Sequence, residues 1–269
     1  MLYICIPAHN EASTVGVLLW RIRKVFQGFS REYEILVYDD ASTDGTSELL
    51  VPYGEVAPLT VIRGETRKGY GKALEALVRE ASRRTKYPRR DAMVVMQGDF
   101  TDQPETLPEL VKPFEGGADI ILTQRGNRSE PVAVRRLRQL APWALRFSLS
   151  IQGVADPYAA LRLYRISLLR DLIRSAGDQP LVTADGWAAN VELLMKAMPL
   201  ARRVETIAVD PRYDLRVRES RIKPFADAMS LFRFGRSARG RAIAPPAPAA
   251  APQGTAPASR TPAREKVTS

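Results

Sequence analysis

Cysteine and histidine are almost missing from this chain of 269 residues: each occurs once, as Cys5 and His9. That excludes a disulfide framework, a cysteine-based zinc cluster and any multi-histidine metal site. Long apolar runs are missing too. Stretches such as Met93-Val94-Val95-Met96 fall far short of the ~20 residues that a membrane-spanning helix needs. The N-terminal Met1-Leu2-Tyr3-Ile4-Cys5-Ile6-Pro7 has no basic flank and no extended apolar segment, so it does not read as a signal peptide. The expectation is a soluble, cytoplasmic protein. Hydrophobic residues make up 45% and charged residues 26%, which is enough to bury a core without staples. The length suits one or two domains at ~100–200 residues each.

Acid is in deficit. Forty Lys and Arg face thirty Asp and Glu, a net charge of +10. From Arg236 onward six basic residues stand against Glu265 alone, so the tail carries +5 and the body the other +5. Such a surplus suits polyanions, whether nucleic acid, anionic lipid or phosphate-bearing substrates. No helix-turn-helix, zinc or RNA-binding motif accompanies it, which argues against nucleic acid. Between Ala242 and Ala258, 13 of 17 residues are Ala or Pro. A segment with so few apolar side chains cannot offset its ordering entropy, so residues 242–269 are expected to be a disordered tail.

The first half alternates between two periodicities. Strands are expected at Leu2–Ile6 (ended by Pro7), Glu34–Tyr38, Leu59–Ile62, Ala92–Met96 and Asp119–Leu122. Between them, apolar residues at helical spacing mark Thr14–Phe26, a helix including Leu49 and Leu50 that Ser42 or Thr43 could cap, and Gly71–Ser82. This alternation predicts an α/β fold with a mostly parallel sheet. Beyond it the reading is a basic helical region at Val132–Leu149, a strand at Ala160–Tyr164, helices at Ser167–Ser175 and Gly186–Ala197, and a strand within Ala201–Val209. In such sheets ligands bind beyond the carboxyl ends of the strands. Polar clusters sit there in this sequence: His9-Asn10-Glu11 after the first strand, Asp39-Asp40 after the second, Gln97-Gly98-Asp99 after the fourth.

Four of these segments carry a resemblance. Ile6-Pro7-Ala8-His9-Asn10-Glu11 resembles the opening P-x-x-N-E of family-2 glycosyltransferases with the GT-A fold. Val37-Tyr38-Asp39-Asp40-Ala41-Ser42-Thr43-Asp44-Gly45-Thr46 resembles their V-[VI]-D-D-G-S-x-D-x-T, and Arg67-Lys68-Gly69-Tyr70-Gly71-Lys72-Ala73 their N-x-G-x-[GS]-x-A. Met96-Gln97-Gly98-Asp99-Phe100-Thr101-Asp102-Gln103-Pro104-Glu105 resembles the D-x-D segment, in the form seen in dolichyl- and polyprenyl-phosphate sugar transferases. The likeness covers residues 1–125 and continues more loosely to 223, which sets the expected catalytic domain at 1–223.

The resemblance implies an inverting transferase that takes a sugar from a nucleotide-diphosphate donor. Asp40 can accept hydrogen bonds from base N–H groups, although an Asx turn is the plainer use of Asp39-Asp40. By the same likeness Pro7, His9, Glu11 and Tyr38 line the donor site with Gln97 and Gly98. Arg125 is placed to touch phosphate. Asp99 is the expected metal ligand and a catalytic residue, since Mg²⁺ or Mn²⁺ uses oxygen ligands and commonly one or two carboxylates plus substrate phosphates. Gln97 departs from the usual aspartate, removes one negative charge and should weaken metal binding. Asp102 and Thr101 lie where further polar contacts are expected.

Acceptor-side residues follow. Asp156 and Arg162 in Ala155-Asp156-Pro157-Tyr158-Ala159-Ala160-Leu161-Arg162 resemble D-x-x-[SC]-G-F-[RK], with Ala159, Ala160 and Leu161 departing from it. Arg216, Ser220 and Arg221 resemble R-x-x-G-E-S-K, with the first arginine displaced by one. The acceptor is expected to be a polyprenyl phosphate. A saccharide or small-molecule hydroxyl is the alternative, with Asp156 as general base, and a nucleotide-sugar binding protein with weak catalysis is a third reading. Phe225, Met229, Leu231, Phe232 and Phe234 beside Lys223, Arg233, Arg236, Arg239 and Arg241 make 224–241 a basic amphipathic segment suited to an anionic membrane surface. That would place the protein peripherally at the inner face of the membrane.

Overall fold

The computed structural model describes residues 1–125, 154, 156, 157, 159–209 and 229. The expected helix at 132–149, the phosphate-binding candidates Arg216, Ser220 and Arg221, and the tail lie outside them, as does the 224–241 segment apart from Met229. Seven strands form one sheet: β1 (Leu2–Ala8), β2 (Tyr33–Asp39), β3 (Leu59–Arg63), β4 (Ala92–Val95), β5 (Ile120–Arg125), β6 (Arg162–Arg165) and β7 (Val204–Val209), in the order β3-β2-β1-β4-β6-β5-β7. The helices that flank it among the described residues are α1 (Val15–Gly28), α2 (Thr46–Val56), α3 (Tyr70–Arg84), α4 (Leu107–Glu115), α5 (Ile166–Ala176) and α6 (Trp187–Ala197).

Strands β1 to β4 run parallel, as do β5 and β7, whereas β6 lies antiparallel to both β4 and β5. The sheet is therefore mixed. Alternation along β1 splits the core: Tyr3 and Cys5 face a cluster with Leu74, Leu77, Leu169 and Leu193, while Leu2, Ile4 and Ile6 face one with Leu18, Ile22, Leu50 and Leu110. Helices α3, α5 and α6 thus cover one face, and α1, α2 and α4 the other. Burial on both faces accounts for the continuous apolar runs of the central strands.

Two local expectations are corrected. Pro7 does not end β1, because the strand continues to Ala8 with Pro7 opposite Tyr38. On its other side β1 pairs with β4 only as far as Cys5. Pro7 therefore stands where β1 is already an edge, and a missing N–H is tolerated there. Ser42 and Thr43 do not cap α2, which starts at Thr46 after Gly45 in a left-handed conformation (φ 85°). Helix α4 was not anticipated, although Leu107, Leu110, Val111 and Phe114 have helical spacing and all are buried. Pro108 and Pro113 hid it: one falls in the first turn, where proline is tolerated, and the other near the end.

Three carboxylates on this framework contribute to its response to acid. Hydrogen bonds from Arg83 hold the Glu80 carboxyl down to about 2, with Arg84 assisting against burial. At Glu75 burial works upward, but the Leu181 amide, Arg79 and Lys72 outweigh it and keep the carboxyl below its ordinary value. At Asp44 burial is likewise outweighed by hydrogen bonds from the Thr46 side chain and from main-chain amides, that of Ala12 foremost. A carboxyl lowered in the folded state contributes stability above its unfolded pKa, ~4 for Asp and Glu, and loses it as pH falls through the folded value. Urea midpoints are expected to be steady near neutrality and to fall steeply between about pH 4 and 2. A flat profile across that window would contradict this assignment.

Candidate active site

Because the chain steps from β1 out to β2 and β3 and then returns to β4 on the other side of β1, the sheet has a switch point between β1 and β4. The crevice beyond their carboxyl ends is where ligands bind in such sheets. The loops after β1, β2 and β4 meet there.

The first two loops are stitched together. Asn10 N–H donates to Ser42 Oγ at 2.8 Å, and Thr43 N–H returns a bond to Asn10 Oδ1 at 2.8 Å. Glu11 N–H donates to Thr46 Oγ1 at 2.9 Å and Ala12 N–H to Asp44 Oδ2 at 3.1 Å. Asn10 takes a positive φ of 52°, a conformation that asparagine tolerates better than most residues. His9 Nδ1 bonds the Asp40 carbonyl at 2.8 Å. A carbonyl only accepts, so Nδ1 carries the proton, and in the neutral ring Nε2 is left as an acceptor.

Asp39 and Asp40 divide the work. Asp39 is fully buried and makes the expected Asx turn, accepting Ser42 N–H at 3.0 Å and also the Ser47 hydroxyl. Asp40, 4% exposed, reaches the third motif: its Oδ1 accepts Lys68 N–H at 2.7 Å and its Oδ2 accepts Gly69 N–H at 2.9 Å. A carboxylate offers about four lone-pair positions, so capacity for a base N–H remains. Tyr38 is 7% exposed and packs in the core beneath α3, with burial and then the Asp40 charge raising its phenol pKa.

The loop after β4 closes against the first. A methyl group on Gly98 would lie 3.3 Å from Glu11 Cγ and 3.6 Å from the Pro7 carbonyl. Glycine there lets the two loops touch. Asp99 and Asp102 are each 5% exposed. Asp99 Oδ1 accepts Thr101 N–H at 3.1 Å, and Asp102 Oδ2 accepts Gln97 N–H at 2.9 Å. Phe100 between them has φ 67°, and Arg21 lies over its ring at 5.1 Å. Among the described residues no group of three His, Cys, Asp or Glu side chains could hold a metal by itself. The donor set fits a cation that substrate completes: Asp99 as the carboxylate, Gln97 as a neutral carbonyl, diphosphate oxygens and water for the rest.

On the acceptor side Asp156 is 3% exposed. Arg162, expected to bind acceptor or phosphate, is 1% exposed, and its guanidinium donates to main-chain carbonyls, to Asn190 at 2.8 Å and Asp156 at 3.3 Å and also to Pro157. A direct contact with substrate is replaced by a role inside the protein. Arg125 ends β5, and only its backbone lies among the described features.

The third motif is packed closely by the segment before α6. Gly71 N–H donates to Asp185 Oδ1 at 2.9 Å, and a methyl on Gly71 would fall 2.1 Å from the Ala184 carbonyl oxygen. Glu192, 2% exposed, holds that segment through the amides of Thr183 and Ala184, both at 2.8 Å. Sequence reading missed Asp185 and Glu192, since a lone acid before a helix or within one looks like solvated surface. Gly71→Ala is expected to cost about 1–3 kcal/mol by overpacking, measured as a lower urea midpoint. An unchanged midpoint would mean that the 180–185 segment yields freely.

The sequence profile of glycosyl transferase family 2 matches residues 3–173. The chain belongs to that family. It is 28% identical over 166 residues, 62% of this chain and 47% of the other, to an undecaprenyl-phosphate 4-deoxy-4-formamido-L-arabinose transferase of Pseudomonas fluorescens. It is 28% identical over 227 residues, 82% of this chain and 58% of the other, to a dolichol-phosphate mannosyltransferase of Pyrococcus furiosus. The chain spans about half the length of the curated relatives it matches. Among solved structures it is similar to glucosyl-3-phosphoglycerate synthase from Mycobacterium tuberculosis in complex with Mn²⁺, UDP and phosphoglyceric acid. The TM-score is 0.59 at 20% identity, over 87% of this chain and 75% of that one, a likeness of fold. The expected GT-A architecture is the one observed. Among the described residues no helix is long and apolar enough to cross a membrane.

Proposed function

We propose that this chain transfers a sugar, with inversion, from a nucleotide-diphosphate donor onto a polyprenyl phosphate. The observation that carries the reading is the meeting of Glu11, Asp40 and the Gln97–Asp102 loop at the switch point of a family-2 fold. The relatives named for undecaprenyl-phosphate and dolichol-phosphate transfer support the lipid acceptor. A sugar hydroxyl would need a base within ~2.6–3.2 Å, whereas a phosphate oxygen is already anionic and attacks without one.

In the proposed step the acceptor's phosphate oxygen forms a bond to the anomeric carbon as the bond from that carbon to the diphosphate breaks. The nucleoside diphosphate departs with the electron pair. Asp40 and the loop it holds position the base side, and His9 Nε2 offers an acceptor beside them. Asp99 with Gln97 would hold a divalent cation, which when bound neutralises charge growing on the leaving diphosphate. The Mn²⁺ and UDP complex of the synthase from Mycobacterium tuberculosis supports this choice of cofactor. We also assign residues 224–241 to an anionic membrane surface on their mixed basic and aromatic sequence.

The test is transfer of labelled sugar from a panel of uridine and guanosine diphosphate sugars into an organic-phase product, with polyprenyl phosphate and Mn²⁺ supplied. Label passing only into saccharide acceptors, or nucleotide binding with no turnover, would overturn the lipid reading. Gln97→Asp restores a second carboxylate and is expected to lower the Mn²⁺ concentration at half-maximal activity by about tenfold, ~1.4 kcal/mol. An unchanged metal titration would place the cation away from residue 97.

A further inference from the structure

Among the described residues Arg162 is the largest fully buried side chain, and a buried charge must be solvated by the protein itself. It stands on β6, between β4 and β5 in the middle of the sheet. Its guanidinium reaches the carbonyls of Asp156 and Pro157 on the acceptor side and that of Asn190 on α6. Asn190, 5% exposed, carries the connection onward, its Oδ1 accepting the Tyr70 hydroxyl at 2.9 Å. Tyr70 opens α3 directly after Lys68 and Gly69, whose amides Asp40 holds. Burial raises the Tyr70 phenol pKa and the Asn190 bond opposes it, while the charges of Asp102 and Arg162 both act on the same hydroxyl. The Tyr70 hydroxyl thus joins the start of α3, next to the donor-side loop, to the residue whose carbonyl Arg162 holds.

We propose that Arg162, Asn190 and Tyr70 form one positioning unit, buried at Arg162 and Asn190, that keeps the Asp156–Pro157 segment in register with the Lys68–Gly69 loop. The unit makes no contact with substrate. It sets the distance between the two halves of the crevice, across which in-line attack must be aligned. Arginine suits it because a planar fork donates along several fixed directions at once, which a lysine ammonium on a flexible stem does not reproduce. The activity arm of its test rests on the transferase reading above, whereas the exchange arm does not.

Tyr70→Phe removes one hydroxyl and keeps the ring, and Arg162→Lys keeps the charge and loses the fork. Amide hydrogen exchange on the full chain is the first readout. Each variant, with circular dichroism unchanged, is expected to exchange about fivefold faster at Lys68 and Gly69 and also at Asp156, Ala159 and Ala160. Faster exchange confined to the neighbourhood of the altered residue would overturn the unit. If Arg162→Lys does not fold, Tyr70→Phe decides alone, through the distant Asp156 segment. In the transfer assay the double variant is expected to be no slower than the slower single variant, because both break one connection. Effects that multiply, as independent sites do, would overturn it. A wild-type protein that transfers no sugar would sink the transferase reading while the exchange result still decided the unit.

Discussion

Asp99→Asn is expected to lower kcat for sugar transfer by about 10²–10³-fold, the scale of losing one preorganised electrostatic stabiliser of a transition state. The substitution is nearly isosteric. The Asn oxygen can still accept the Thr101 N–H that Asp99 Oδ1 accepts at 3.1 Å, so the loop keeps its shape. On the reading proposed above, what disappears is the charge that would draw a cation to the diphosphate, in a site where Gln97 stands in place of the second carboxylate that the resemblance implies. A second neutralisation should therefore cost more here than in a site with a spare acid. The measurement is steady-state transfer across a Mn²⁺ titration, with Tm as the check on folding. Domains of this size shift by about 2–4 °C per kcal/mol, so a Tm within that span separates lost chemistry from lost structure. A variant with wild-type kcat and an unchanged metal dependence would remove Asp99 from the metal site.

How much of this could be read from the residues differs between the backbone and the site. The strands were legible because β1, β2 and β4 bury both faces and so must be continuously apolar. Helix α3 was legible because Leu74, Leu77, Val78 and Ala81 line one face. The antiparallel insertion of β6 was not, since Arg162-Leu163-Tyr164-Arg165 has the composition of a strand but nothing that states its direction. The positions of Glu11, Asp40 and Asp99 followed from a rule about strand ends. Their partners did not. Asp40 binding the Lys68 and Gly69 amides, or Asp185 the Gly71 amide, joins residues 28 to 114 positions apart, and no local pattern encodes such a pair. Arg162 shows the same limit from the other direction. A motif gave it an acceptor or phosphate to bind, whereas the packing of α6 and the 156–157 segment around β6 gave it carbonyls.

The second large effect is expected at Asp40 and acts on binding. In Asp40→Asn the side chain offers one oxygen where two are used, so either Lys68 N–H or Gly69 N–H faces an amide NH₂ in place of an acceptor. An orphaned buried donor costs about 1–3 kcal/mol. Because Gly69 has φ 91° and a methyl there would stand 2.6 Å from Asp185 Oδ2, the loop has little room to rearrange. Its displacement should reach Tyr70 and Gly71 together, disturbing the base side of the crevice without touching Asp99. Nucleoside diphosphate affinity, measured by calorimetry at saturating Mn²⁺, is accordingly expected to fall at least tenfold, ~1.4 kcal/mol or more. Under saturating donor kcat should fall much less than in Asp99→Asn. That contrast separates the two carboxylates by role. If Asp40→Asn instead binds nucleotide normally and loses kcat, Asp40 does not organise the base side, and the donor must lie deeper toward the Asp99–Asp102 loop than proposed.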